Sequence, residues 1–123
     1  MKLSDIPAKE LWELLEKTEE ESEDWLYDKG LICYVMSGTI AKHDSPLCAC
    51  CLADLSERLW KQAVENCSLL LFESIKDVFY SSAKWTVKHT TEFIERWALY
   101  ESKSIHRIIA ALLALKGAGK EVE

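Results

Sequence analysis

An all-α fold, an antiparallel bundle of four or five helices with two long central ones, is what this sequence predicts. Three observations carry that expectation. From Cys48 to Lys116 the chain runs 69 residues without a Gly or a Pro, the residues that most often punctuate a fold. Apolar side chains recur through that stretch at three- and four-residue steps. No segment offers two alternating runs joined by a tight turn, so a sheet has no partners to build from.

The elements follow in order. Ser4 is placed to cap a first helix and Pro7 suits its first turn, after which Leu11, Trp12, Leu15, Thr18, Ser22, Trp25 and Leu26 form a helical stripe. Gly30 can end this helix in a left-handed cap or be traversed, which the sequence alone does not decide; a break or kink is the preferred expectation. The apolar run Leu31-Ile32-Cys33-Tyr34-Val35-Met36 fits a buried strand or a buried helix; without a partner strand, a helix of roughly Leu31 to Lys42 is expected, with Cys33, Met36 or Ser37, and Ile40 facing inward. Gly38 within it marks a place where another helix can come close.

His43-Asp44-Ser45-Pro46 is the clearest punctuation in the chain, a cap followed by a proline at the first helical position. The spine of the fold is expected to start there, with Cys48, Leu52, Leu55, Leu59, Ala63, Cys67, Leu70, Ser74 and Val78 on one face. The chain then turns near Tyr80-Ser81-Ser82. A second long helix carries Val87, Thr90, Ile94, Trp97, Glu101, Ile105, Ile108, Leu112 and Leu115 to a stop at Lys116-Gly117, with Ser102 and Ser104 able to interrupt it. Its last part, Ile105 to Leu115, is apolar on nearly every side and must be enclosed, inside the monomer or between subunits.

Bulk properties narrow the class. The 123 residues fit a single domain, 1–123, with 117–123 expected to fray. Residues 1 to 29 hold ten acids against four lysines, which disfavours binding a phosphate backbone or an anionic membrane through that end. The start reaches charged residues too soon for a secretory signal, and no stretch approaches the roughly 20 apolar residues that span a bilayer, so a cytoplasmic protein without membrane contact is expected.

Chemistry-bearing residues are few. Cys48 and Cys51 have the C-x-x-C spacing in a first helical turn, where the helix dipole favours a thiolate. With His43, and perhaps with Cys33, they offer thiolate and imidazole ligands that suit zinc. Neither reading is complete: a redox pair normally follows a strand in an α/β fold, and a structural zinc site usually needs a second pair. The plain alternative is that the cysteines fill a buried helix start. His89 and Glu92 lie three apart on a helix, but the Glu-x-x-His order of carboxylate-bridged bundles is absent, as is His-Glu-x-x-His. Lys88, Arg96, Lys103 and Arg107 make a basic stripe able to meet nucleic acid, though Glu92 and Glu95 interrupt it and nucleic acid is not the expected partner. Four scattered glycines cannot form a phosphate loop, and no Gly-x-Ser-x-Gly elbow occurs.

The segment Ser56-Glu57-Arg58-Leu59-Trp60-Lys61-Gln62-Ala63 resembles the Ser-Glu-Lys-x-Trp-x-Ala-Ala segment of the small archaeal PaREP-type proteins, which are similar in turn to the HEPN helical domains. That family carries Gly-Asp ahead of the segment, where this chain has Cys51-Leu52-Ala53-Asp54-Leu55. The resemblance implies an antiparallel bundle that tends to dimerise. HEPN ribonucleases carry an Arg followed four to six residues later by a His; Arg58, Arg96 and Arg107 have no histidine at that distance, so nuclease activity by that route is not expected.

The sequence therefore points to a homodimeric or higher-order helical interaction module with no cofactor, rather than an enzyme, its interface carried by Trp97, Ile105, Ile108, Ile109 and Leu112. A zinc or thiol-redox protein built on Cys48, Cys51 and His43, and a HEPN-like nucleic-acid binder using Lys88, Arg96, Lys103 and Arg107, are the alternatives.

Overall fold

The computed structural model describes residues 6–32, 35–36, 39–40, 49, 51–83 and 90–119. Within them the chain is all-α in class, with five helices and one two-residue antiparallel pair. No helix is long and apolar enough to cross a membrane among the described residues.

The acidic first third forms two helices rather than one. Helix α1, Ala8–Glu13, follows Pro7 in an extended conformation and tightens into a 3-10 turn, Leu14–Glu16. Thr18 then caps α2, Glu19–Asp28: its hydroxyl accepts the Glu21 N–H at 3.2 Å and the Glu21 carboxylate accepts the Thr18 N–H at 3.2 Å. This reciprocal box satisfies two donors that a helix start otherwise leaves orphaned. The expected Ser4 cap lies outside the described residues.

Gly30 ends α2 as expected, with φ of +75°. Gly30 N–H bonds to the Tyr27 carbonyl and Leu31 N–H to the Leu26 carbonyl, each at 2.9 Å, and both leucines are fully buried. This is the Schellman arrangement, in which a left-handed residue lets the last carbonyls find partners and an apolar contact seals the end.

The helix expected over Leu31 to Lys42 is not formed. Ile32 makes a parallel bridge with Ala49, and β1, Val35–Met36, pairs antiparallel with β2, Thr39–Ile40, in the register Val35 to Ile40 and Met36 to Thr39. Short β-branched and apolar runs are where helix and strand are least separable by pattern, and here local pairing supplies the partner that the sequence did not reveal. Cys33, Ser37, Gly38 and His43 to Pro46 lie outside the described residues.

Helix α3, Leu52–Ala83, begins later than Pro46, since Ala49 is in a bridge and Cys51 takes the capping position. The Cys51 carbonyl accepts the Leu55 N–H at 3.1 Å and its sulfur accepts the Asp54 N–H at 3.4 Å. The helix is bent at Cys67, whose φ of −156° and ψ of 53° are not helical. Asn66 donates its carboxamide N–H to the Gln62 carbonyl at 2.8 Å just before the bend.

The bend turns the second limb back toward the start of the first. Phe79 lies 5.1 Å from Trp97, Trp97 lies 5.3 Å from His106, and His106 shares a cavity wall with Cys51 and Leu52. A straight helix would separate Leu52 from Phe79 by roughly 40 Å, too far for that chain of contacts. The bend also resets the helical phase. Leu55, Leu59 and Ala63 face the core before it, and Leu71, Ile75, Val78 and Phe79 after it, so Leu70 of the expected stripe is turned outward.

The second long helix of the sequence reading is two pieces. Thr90 caps α4, Thr91–Arg96, by accepting the Phe93 N–H at 3.2 Å. The helix widens into a π turn, Trp97–Glu101, closed by Ser102 N–H on the Trp97 carbonyl at 2.8 Å. After the break at Ser102 and Lys103, α5 runs Ser104–Gly117 and packs chiefly on α3. Ile108, Ile109, Ala110, Ala111, Leu112 and Leu115 have no exposed surface. The all-round apolar helix is therefore enclosed inside one chain, between the limbs of α3 and α1 with its 3-10 turn.

Candidate functional site

The residues expected to carry an interface divide in two. Ile108, Ile109 and Leu112 are 0% exposed within the single chain, so they offer no surface to a partner in this conformation. Trp97 and Ile105 are half-buried. Trp97 spends its ring inside the fold, edge-on to Phe79 and tilted over His106.

Apolar side chains reach the surface elsewhere. Val64, Leu69, Leu70, Phe93, Leu99 and Tyr100 are exposed, Leu69 by 83% and Tyr100 by 79%. A cleft of about 220 Å³ runs beside α3, lined by Trp60, Val64, Leu71, Phe72, Ile75 and, from the π turn, Leu99. Its origin is local. The bend at Cys67 leaves Val64 and Ser68 at the outer side of the fold, and the π turn, one residue wider per turn than an α-helix, pushes Leu99 out over Trp60.

Arg107 fixes that turn. Its Nε donates to the Ala98 carbonyl at 3.0 Å and to the Ser102 hydroxyl at 3.1 Å, and its Nη2 donates to the Leu99 carbonyl at 2.7 Å. Ser102 also donates to the Ala98 carbonyl at 2.6 Å. The carbonyls that the end of a helix leaves orphaned are thus held by a cation. Arg107 is accordingly half-buried and engaged inside the fold, which removes it from the expected basic stripe. Arg96 and Lys103 are exposed, but the π turn and the Ser102 break put them on different elements; Lys88 and His89 lie outside the described residues.

The cysteine site is only partly within view. Cys51 is exposed with its sulfur on the Asp54 N–H, and Cys67 sits half-buried at the bend. His43 and Cys48 lie outside the described residues. Among the described residues no group of three His, Cys, Asp or Glu is placed to hold a metal ion.

A second and larger cavity, about 660 Å³, opens where the starts of α2, α3 and α5 meet. Lys17, Glu19, Glu23, Cys51, Lys103 and His106 stand around it. His106 is half-buried, and its Nδ1 accepts the Lys103 backbone N–H at 3.1 Å. Burial first and the Lys103 charge second lower the pKa of the imidazole below the usual histidine range, so the neutral ring is favoured. From the sequence His106 stands only alongside the basic stripe, as a surface or boundary histidine, although a side-chain acceptor three residues after a helix cap is a recognisable signal.

No family model matches this chain, and neither a curated protein nor a solved structure does.

Proposed function

We propose that the chain is a helical interaction module that self-associates through the apolar cleft beside α3, with a second copy of the chain as occupant. The observation that carries this reading is the grouping of exposed Val64 and Leu99 on the walls of one cleft floored by Trp60, Leu71, Phe72 and Ile75. Isolated exposed apolar residues are ordinary; a contiguous apolar surface with aromatic side chains at its base is what interfaces use. The resemblance of Ser56 to Ala63 to dimerising archaeal proteins supports the same reading, because Trp60 of that segment lies in the cleft.

Native mass spectrometry of the full chain, without chelator or reductant, is the test. A dimer or higher oligomer at the apo mass is expected, and Val64→Glu and Leu99→Glu, both at exposed positions, are expected to weaken association at least tenfold with the helical circular dichroism unchanged. A wild-type chain that stays monomeric at high micromolar concentration, or variants that associate as before, would overturn the proposal. Added mass matching zinc would turn attention to Cys48, Cys51 and His43.

A further inference from the structure

His106 caps α5 in a way that only one of its protonation states allows. A backbone N–H can donate to Nδ1 only if that nitrogen carries a lone pair, so the bond from Lys103 at 3.1 Å requires the neutral ring with its proton on Nε2. The Lys103 ammonium has no acceptor to offer in return, and the cap rests on the imidazole alone. The same ring packs 5.3 Å from Trp97 at an interplanar angle of 34°.

Protonation reverses each of these terms. Nδ1 becomes a donor facing a donor, and a cation appears in the first turn of α5, where the helix dipole disfavours it. Lys17, Glu19 and Glu23 from the corner between the 3-10 turn and α2, and Cys51 from the head of α3, line the same cavity as the ring; Lys103 stands just before α5, and Arg107, the next residue, is turned to the π-turn carbonyls. The two carboxylates favour the imidazolium and the lysines oppose it. Burial and Lys103 decide the balance in favour of the neutral ring.

We infer that His106 is a proton-controlled latch on α5: neutral, it holds the first turn of the helix closed against Trp97; protonated, it releases Lys103 and loosens that turn. The next residue, Arg107, clamps the carbonyls of Ala98 and Leu99, so a loosened first turn also frees the π turn. The latch is independent of what fills the cleft beside α3. A histidine whose folded pKa lies below its unfolded value contributes fully above about pH 6.5, and that contribution is lost as pH falls through the folded value, because the unfolded chain takes up the proton first.

Wild type and His106→Gln, as full chains, provide the test. A Gln side chain keeps an acceptor at the same helical position at every pH and does not titrate. Between about pH 7.5 and pH 5 the wild-type melting temperature is expected to fall by several degrees more than that of the variant. In wild type, the Lys103 amide resonance is expected to move along the same titration curve as the His106 ring, and in the variant to stay still. Equal falls in melting temperature, or a Lys103 amide that does not follow the His106 titration, would overturn the inference.

Discussion

Phe79 presents its ring to Trp97 at 5.1 Å between centroids and 69° between planes, joining the second limb of α3 to the π turn. Phe79 is 1% exposed and also meets Tyr80 and Phe93 edge-on, at 5.2 and 5.9 Å. Edge-to-face pairs of this kind add about 0.5–1.5 kcal/mol to the burial of the rings. Phe79→Leu keeps most of the volume and loses the ring contacts, so a loss of about 1–2 kcal/mol in urea unfolding is expected. Phe79→Ala leaves a cavity and is expected to cost about 3–5 kcal/mol. A Phe79→Leu variant as stable as wild type would mean that the ring cluster does not join these two elements.

Thr18 and Glu21 form the capping box that separates α1 from α2. Thr18→Ala is expected to lower stability by about 1 kcal/mol, and Thr18→Ser to lower it by much less, in denaturant titrations of otherwise identical chains. The backbone bond from Thr18, followed by its side-chain bond, holds the Glu21 carboxyl below the usual range. A depressed carboxylate contributes above its unfolded value and loses that contribution as pH falls through the folded value. The gap between wild type and Glu21→Gln is therefore expected to be present at neutral pH and to close in acid. A gap that persisted unchanged below about pH 3 would contradict the assignment.

That box shows how much of the fold could be read without coordinates. Thr18-x-x-Glu21 is a written capping signal, but the periodic stripe through Leu15 and Ser22 passes over it, so one helix was expected where two stand. At Gly30 the sequence allows a break or a traversed helix, and the φ of +75° takes the preferred one, since a left-handed residue suits that helix end. The bend at Cys67 was not: Asn66 and Ser68 flank it with weak helix formers, yet apolar steps of three and four continue through Leu69, Leu70 and Leu71, and either phase fits the pattern. The candidate site suffered most from this. With the phase reset, Leu70 is exposed and Leu71 is buried, and the cleft beside α3 is lined from both sides of that bend. The enclosure of α5 was foreseen as a requirement, but periodicity does not say whether the cover comes from the same chain or another.

Arg107 is expected to resist conservative exchange. Its three hydrogen bonds come from the fixed fork of a guanidinium, two from Nε and one from Nη2, and a lysine offers a single flexible ammonium instead. Arg107→Lys is expected to cost about 0.5–1.5 kcal/mol, since the exposed Leu99 carbonyl loses its guanidinium donor while the Ala98 carbonyl keeps the Ser102 hydroxyl. The damage should be local to the π turn, read as faster hydrogen exchange of the Ser102 amide, which bonds to Trp97 at 2.8 Å. If Arg107→Lys left both stability and Ser102 protection unchanged, the clamp would have no role in holding the turn.

Ile109 separates a folding role from an association role. It lies in the middle of α5 with no exposed surface, among Ile108, Leu112 and the leucines of α3. A glutamate there would be a buried charge with no partner, which the chain escapes only by neutralising it or by opening the core. Ile109→Glu is expected to unfold the chain, seen as loss of helical circular dichroism, rather than to yield a folded monomer. Ile109→Val removes one methylene and is expected to cost about 0.5–1.5 kcal/mol while leaving the subunit count of wild type in place. A folded Ile109→Glu chain with a lower subunit count would return α5 to the interface and displace the cleft beside α3 from that role.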